Sequence, residues 1–255
     1  MERRRTTINL LTVFLFSIIL FASASMQKAY GKEEIIAKMT GFKGHLNIMR
    51  NEVAIPPVVN LHLLNNDRIN VVEGTAEINF DDGSTVVLFT NTEIIIKQDL
   101  KKRDLTGVLK RSYTLRFIKI VSGRLWANVI PMEYIITEFE TGAGTIQIKR
   151  GTVEIAIGFV TGTVSIGCPR GEATVRVLIA GITHEVDLTA GQLTTIIPGT
   201  PPTSPVSYTP GTIVPIDPET EKMMMKLLAQ PTAIESPPET LEQEPPPTSA
   251  SPSSL

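Results

Sequence analysis

Val72-Glu-Gly-Thr-Ala-Glu-Ile-Asn-Phe-Asp-Asp-Gly-Ser-Thr-Val-Val-Leu-Phe-Thr-Asn-Thr-Glu-Ile-Ile-Ile96 is the stretch that decides the fold class. It reads as three short strands, cut by Gly74, by Asp82-Gly83 and by Thr90-Asn91. Ala76, Ile78 and Phe80 fall on one face, Glu77 and Asn79 on the other. Period-two alternation between turn residues marks half-buried β-strands, because successive side chains of an extended chain point to opposite faces.

The same grammar continues on both sides. Gly44 to Met49, Val58 to Leu64 and Asp67 to Val72 precede the stretch as strand candidates. A charged interruption, Gln98 to Arg111, follows it, and strands resume at Leu115 to Ile120 and Gly123 to Val129. Then come three Gly-Thr starts at Gly144, Gly151 and Gly162, with a degenerate copy at Gly171. Each places a β-branched residue directly after a glycine corner, which suits a tight bend into a strand. Short, regularly punctuated strands predict an all-β protein. Near-repeats spaced by seven and eleven residues favour a β-solenoid-like stack over a β-sandwich, each rung burying its apolar face on the next.

Six motifs, an opening run and five more in order, resemble the FecR domain. Gly74 to Ser84 is similar to its Gly-x-Ala-x-Leu-x-Phe-x-Asp-Gly-Ser run, and Gly41 to Arg50 to its first strand. Leu64 to Ile69 resembles Leu-x-x-Gly-Asp-x-Ile, with Asn66 where glycine is usual; asparagine tolerates φ > 0 better than most residues. Ile120 to Val129, Lys149 to Ile155 and Leu188 to Gln192 continue the likeness through residues 41–198. The resemblance implies a solenoid-like domain in the periplasm and no reaction of its own. The FecR transducer carries a cytoplasmic anti-sigma region ahead of its membrane helix. Here only about seven residues precede the apolar run, too few for a domain.

Four zones follow. Arg3, Arg4 and Arg5 precede an apolar run from Ile8 to Phe21 and then Ala22-Ser23-Ala24. That is the pattern of an export signal, residues 1–24, with a second small-residue site at Ala29-x-Gly31. Uncleaved, residues 8–24 are near the lower length limit of a membrane anchor. Residues 25–40 read as a polar entry segment with Ile35, Ile36 and Met39 on a helical stripe, and 41–198 as the β domain. From 199 the chain reads as a disordered Pro/Ser tail, since 14 of the 18 prolines lie at or beyond Pro198. One island, 218–229, has Asp217 as cap, Pro218 at the first helical position and Met223, Met224, Leu227 and Leu228 on one face. Cys168, the single cysteine, can form no internal disulfide and reads as a small buried hydrophobe.

The chemistry is thin. With 24 Lys+Arg against 26 Asp+Glu there is no global pull towards nucleic acid, and no basic patch interleaves with aromatics. His45, His62 and His184 have no metal-ligand spacing, and Asp81-Asp82-Gly83 reads as a hairpin turn rather than a calcium loop. No metal, cofactor or catalytic residue is expected. A polysaccharide-cleaving reading would need two of Glu133, Glu138, Glu140 and Glu154 in one cleft, but Glu154 lies between Val153 and Ile155 and reads as a solvent-face residue. The candidate interaction patch is Lys101, Lys102, Arg103, Lys110 and Arg111. The sequence thus predicts an exported, non-enzymatic binding or scaffolding module of the cell envelope. Its expected partner is an envelope protein or an anionic envelope polymer, with membrane contact only through an uncleaved N-terminus. A membrane-anchored accessory of a sensing system is the alternative.

Overall fold

The computed structural model describes residues 34–104, 110–210, 213, 222 and 226. The expected signal at 1–24 lies outside them, as does most of the expected helix 218–229.

Thirteen strands make up the fold: β1 (Ile35–Arg50), β2 (Val53–Ile55), β3 (Leu61–Leu64), β4 (Arg68–Phe80), β5 (Thr85–Phe89), β6 (Thr92–Asp104), β7 (Lys110–Val129), β8 (Ile135–Glu140), β9 (Thr145–Ile157), β10 (Val164–Ile179), β11 (Ile182–Thr189), β12 (Gln192–Ile196) and β13 (Val206–Ser207). The chain is all-β, as its alternation predicts, and no helix among the described residues is long and apolar enough to cross a membrane.

Five strands are too long for one flat layer and bend at a glycine. β1 and β4 run side by side with Gly44 opposite Gly74, and β9 and β10 with Gly151 opposite Gly171. All four glycines have φ between 88° and 97°. A methyl on any of them would overlap the carbonyl oxygen of the facing strand, so only glycine lets two bent strands stay paired through the corner. β7 bends at Gly123.

Each bent strand therefore has two arms. β5 joins the C-terminal arms of β4 and β7, while β6 joins their N-terminal arms, which closes β4, β5, β7 and β6 into a small barrel. Beyond it β7 pairs with β9 directly through Gly123–Val129, and through the parallel strand β8 on the other arm. β10 continues to β12 from one arm and to β11 from the other. Both sets of arms turn their apolar residues onto one core, including Met39, Ile69, Ile78, Leu88, Ile94, Ile118, Leu125, Ile155 and Ile166.

Several expectations change here. The glycine starts are not corners of a one-handed solenoid coil. They are bends inside antiparallel strands, and β7–β8 is the single parallel pairing among the described strands. Gly74 does not separate two strands but bends one. Ile35, Ile36 and Met39 lie in β1 rather than on a helical turn, since pairing with β3 and β4 outweighs a weak local preference. Residues 199–210, expected in the tail, carry β13 and the buried Tyr208. Asn66, standing where the resembled motif has glycine, has φ 68° as that position requires.

Two buried ion pairs pin the turns. Asp67 is fully buried and takes a two-pronged contact from Arg50, with Nε to Oδ1 at 2.9 Å and Nη2 to Oδ2 at 2.7 Å, while the Leu64 amide donates to the same carboxylate. At the β4–β5 hairpin Asp82 accepts the Ser84 amide at 3.0 Å through Oδ1 and Arg116 at 2.9 Å through Oδ2. The Asp-Asp-Gly run is thus a turn whose second carboxylate is occupied by a cation of the protein itself.

Candidate functional site

The basic patch is assembled by the β6–β7 hairpin. The charged interruption of the sequence is in fact a ribbon, because β6 runs to Asp104 and β7 starts at Lys110. Lys101 pairs with Tyr113, Lys102 with Ser112, Arg103 with Arg111 and Asp104 with Lys110. The neighbours stop earlier: β4 pairs with β6 only over Thr92–Ile95, and β8 with β7 only over Thr114–Lys119. Residues 99–104 and 110–113 therefore form a two-stranded ribbon that extends past the body. By register, Lys101, Arg103 and Arg111 fall on one face of its end, and Lys102 and Lys110 on the other. Lys97 and Lys101 each lie 3.4 Å from Asp99 Oδ2. Desolvation pushes the Asp99 carboxyl up, but these two ammonium groups outweigh it and hold the group below its ordinary value.

A second feature escaped the sequence reading. On the face of the β4, β5, β7, β9 and β10 arms that points away from the core, pairing aligns one row: Glu77, Val87, Trp126, Glu154 and Gly167. Such a row would ordinarily meet water. Instead Val87, Trp126 and Glu154 are buried, as are the neighbouring Phe89, Asn128 and Thr152. At one end the Tyr208 ring lies over Gly167, where no side chain would fit, and its hydroxyl donates to Glu154 Oε2. At the other end Lys226 Nζ is 3.0 Å from Glu77 Oε2. The Arg124 guanidinium stacks 4.5 Å from the centre of the Phe89 ring.

Glu154 is thus not on a solvent face. Alternation is right that its side chain opposes Val153 and Ile155, but Tyr208 comes from 54 residues away to cover it. Burial raises the Glu154 carboxyl above its ordinary value, with the Tyr208 hydrogen bond and the Arg124 charge pulling the other way. Glu138, on β8, is also raised by burial, opposed by Arg176. Glu138 pairs with Gln147 on one arm of β9 and Glu154 with Trp126 on the other, so the two raised carboxyls stand on separate arms. His45, His62 and His184 sit on β1, β3 and β11, and among the described residues no three His, Cys, Asp or Glu side chains converge as metal ligands.

Cys168 is fully buried, its thiol 3.7 Å from the Arg170 carbonyl oxygen. Burial, and then the charge of Glu172, push it up to about 11. It is part of the core and not a nucleophile.

The third feature is the β9–β10 turn. Phe159 and Val160 are 95% and 93% exposed at its tip, beside a cleft of about 490 Å³ lined by Asn70, Asn91, Glu93, Ser122 and Ile157. Two large apolar residues where a turn is ordinarily polar are a signal that the sequence did carry.

No family model matches the chain, and no curated protein matches it. The FecR likeness accordingly rests on the six sequence motifs. Among solved structures, two crystal structures of a candidate anti-sigma factor from Parabacteroides distasonis ATCC 8503, at 1.65 and 2.50 Å resolution, are similar to this chain at 11% and 12% identity, each with a TM-score of 0.43. In each comparison 57% of this chain is covered, and it spans 62% of the other, less than two thirds of its length. A likeness at that level transfers no role to this chain.

Proposed function

We propose that this chain is an exported, non-enzymatic binding module of the cell envelope, and that it holds an anionic envelope polymer through the end of the β6–β7 ribbon. The observation that supports this reading is the placement of Lys101, Lys102, Arg103, Lys110 and Arg111 on the two faces of one two-stranded projection, with no other described strand paired beside it. Arg103 and Arg111 face each other in register, and like charges at directly opposed positions destabilise a strand pair. An arrangement that is unfavourable alone becomes favourable when a polyanion lies against it. The basic start at Arg3–Arg5 and the charge-free run of residues 6–24 support an exported compartment.

The test is retention of the full chain on isolated envelope fractions and on heparin–agarose, with Lys101, Lys102 and Arg103 changed together to Glu. Retention should drop at least tenfold, roughly what the loss of three phosphate-like contacts entails, and should fall with salt in the unaltered chain. Equal retention of the two proteins would sink the reading.

The apolar run Ile8–Phe21 favours a second version, in which the same module stays tethered by an uncleaved N-terminus as the accessory of a transmembrane sensing system. N-terminal sequencing separates the two. A chain beginning at Ser25 or Lys32 in the soluble envelope fraction fits the free module, and an intact Met1 in the membrane fraction fits the tethered one.

A further inference from the structure

The strand ends near Gly123 form an edge of unusual character. Val71 pairs with Thr92, and the Thr92 hydroxyl donates to the Arg124 carbonyl at 2.7 Å. Gly123 pairs with Ile157, Ile157 with Val164, and Val164 with Ile196. This line crosses the molecule from β4 to β12. Val72, Val121, Phe159, Val160 and Ile197 lie within a few residues of it, and all five are exposed. The tip is its most exposed part, and the two apolar side chains there touch almost nothing of the protein itself.

The tip is also built to leave water. From Ile155 to Pro169 the sequence holds no charged residue. The base of the turn is closed by its own bonds: the Gly158 amide donates to the Thr163 carbonyl at 2.8 Å, the Gly162 amide to the Gly158 carbonyl at 2.9 Å, and the Thr163 amide to Thr161 Oγ1 at 3.2 Å. These bonds close the base of the turn and leave the apex backbone at the depth of the headgroups, where water and polar lipid groups can meet it. Phe and Val at the apex stand ahead of Thr161 and Thr163, and the adjacent cleft is lined by Asn70, Asn91 and Ser122 together with Glu93, whose carboxylate is paired with Arg68.

We propose that the β9–β10 turn is a membrane-contact finger, which places Phe159 and Val160 in the interfacial layer of a lipid bilayer. The absence of Lys and Arg from 155–169 makes neutral phospholipid sufficient, so the contact is insensitive to salt. It is independent of the N-terminal segment and of the basic ribbon. Ser122, at the finger's edge, and Lys110, at the ribbon's end, are twelve residues apart along β7, or on the order of 40 Å of strand. A module bound by both would stand between a membrane surface and a polyanion.

The experiment uses the full chain with Phe159→Trp, mixed with phosphatidylcholine vesicles whose acyl chains carry bromine. The single native tryptophan, Trp126, is buried and supplies the background measured in the unaltered chain. Emission from position 159 should shift to the blue and be quenched by the brominated chains. On the Phe159→Trp background, Val160→Ser should weaken the quenching severalfold and Val160→Leu should keep most of it. Circular dichroism checks that the variants fold, and the exposure of both side chains means that they should. Because residues 1–24 can hold the chain on vesicles by themselves, quenching at 159 is the deciding readout. Binding without quenching there overturns the proposal. So does a blue shift that appears without lipid and grows with protein concentration, which would mean that the finger meets a second copy. Lys101, Lys102 and Arg103 changed to Glu should leave the quenching intact, so a failure of the ribbon reading is told apart from a failure of this one.

Discussion

The Tyr208 hydroxyl donates to the carboxylate of Glu154, joining the start of the proline-rich segment to the middle of β9. The pair is closed off from water, and burial raises the Glu154 carboxyl above its ordinary 4.5. A carboxyl raised by folding binds its proton more tightly in the folded chain than in the unfolded one. Its contribution is therefore best at low pH, declines as pH rises from about 4.5 through the raised value, and stays lost above it. Glu154→Gln keeps an acceptor for Tyr208 and removes the buried charge. It should raise the urea midpoint at pH 7 and leave it unchanged near pH 4. An equal effect at both pH values would show that the proton is not what matters.

Arg116 and Asp82 are a closed pair of another kind. They meet at 2.9 Å with 3% and 2% of their side chains exposed, and Arg116 lies 3.9 Å from the centre of the Phe80 ring. Burial lowers the guanidinium's affinity for its proton, and Asp82 largely opposes that. Removing one partner strands the other charge in the core. Asp82→Ala should cost about 3–5 kcal/mol in denaturant unfolding. Arg116→Met together with Asp82→Ala should recover much of that loss, the signature of a double-mutant cycle dominated by an uncompensated charge.

Gly151 and Gly171 predict a backbone effect. Either changed to Ala must leave a φ above 90° and push against the carbonyl of the opposite strand. Each substitution should cost more than about 2 kcal/mol by thermal or urea unfolding, beyond what a strand-interior alanine would gain. Gly191, also at positive φ but with open space around it, is the control and should cost about 1 kcal/mol or less.

Cys168 gives a reactivity prediction. With its thiol pushed up to about 11, almost none is thiolate at pH 8. Alkylation of the folded chain should be roughly a hundredfold slower than that of the chain in urea, where the thiol returns to its ordinary range. Rapid labelling of the folded protein at pH 8 would contradict the burial of β10.

The bent strands were legible at the level of parity. Ile69 and Val71 are buried before Gly74, and Ala76, Ile78 and Phe80 after it, so the buried set changes from odd to even. Val164, Ile166 and Cys168 before Gly171 give way to Ala173, Val175 and Val177 after it, from even to odd. A glycine at which the apolar phase slips by one is a bend within one strand, whereas a strand start resets the pattern without constraint. Reading each glycine as a start led to the solenoid. The ribbon was half legible, since Lys101 to Arg111 stood out as charged but its paired ends, Lys101-Lys-Arg-Asp104 and Lys110-Arg-Ser112, hold no apolar residue to mark a strand. The outer row was not legible at all. Val87, Trp126 and Glu154 occupy positions that face away from the core, and local sequence gives no sign that Tyr208 will arrive from 54 residues away to cover one end of them.

That row supplies the last prediction. Trp126 is fully buried and Val87 nearly so, although neither belongs to the main core. The described contacts that reach this face from beyond β13 are those of Tyr208, on Gly167 and Glu154, and Lys226, on Glu77, at the two ends of one row of paired residues. Four strand-to-strand steps separate those ends, about 19 Å, which the chain between 208 and 226 spans with ease. A protein stopped after Ser207 loses both contacts at once. Its Trp126 emission should move to longer wavelength and become accessible to iodide, while the β signal in circular dichroism persists, because the core beneath the row is complete without it. Lys226→Glu alone, an exposed ion pair worth at most about 1 kcal/mol, should leave the emission nearly unchanged. If the shortened chain keeps a blue, protected Trp126, the cover lies within residues 34–207 and the segment beyond Tyr208 has no part in it.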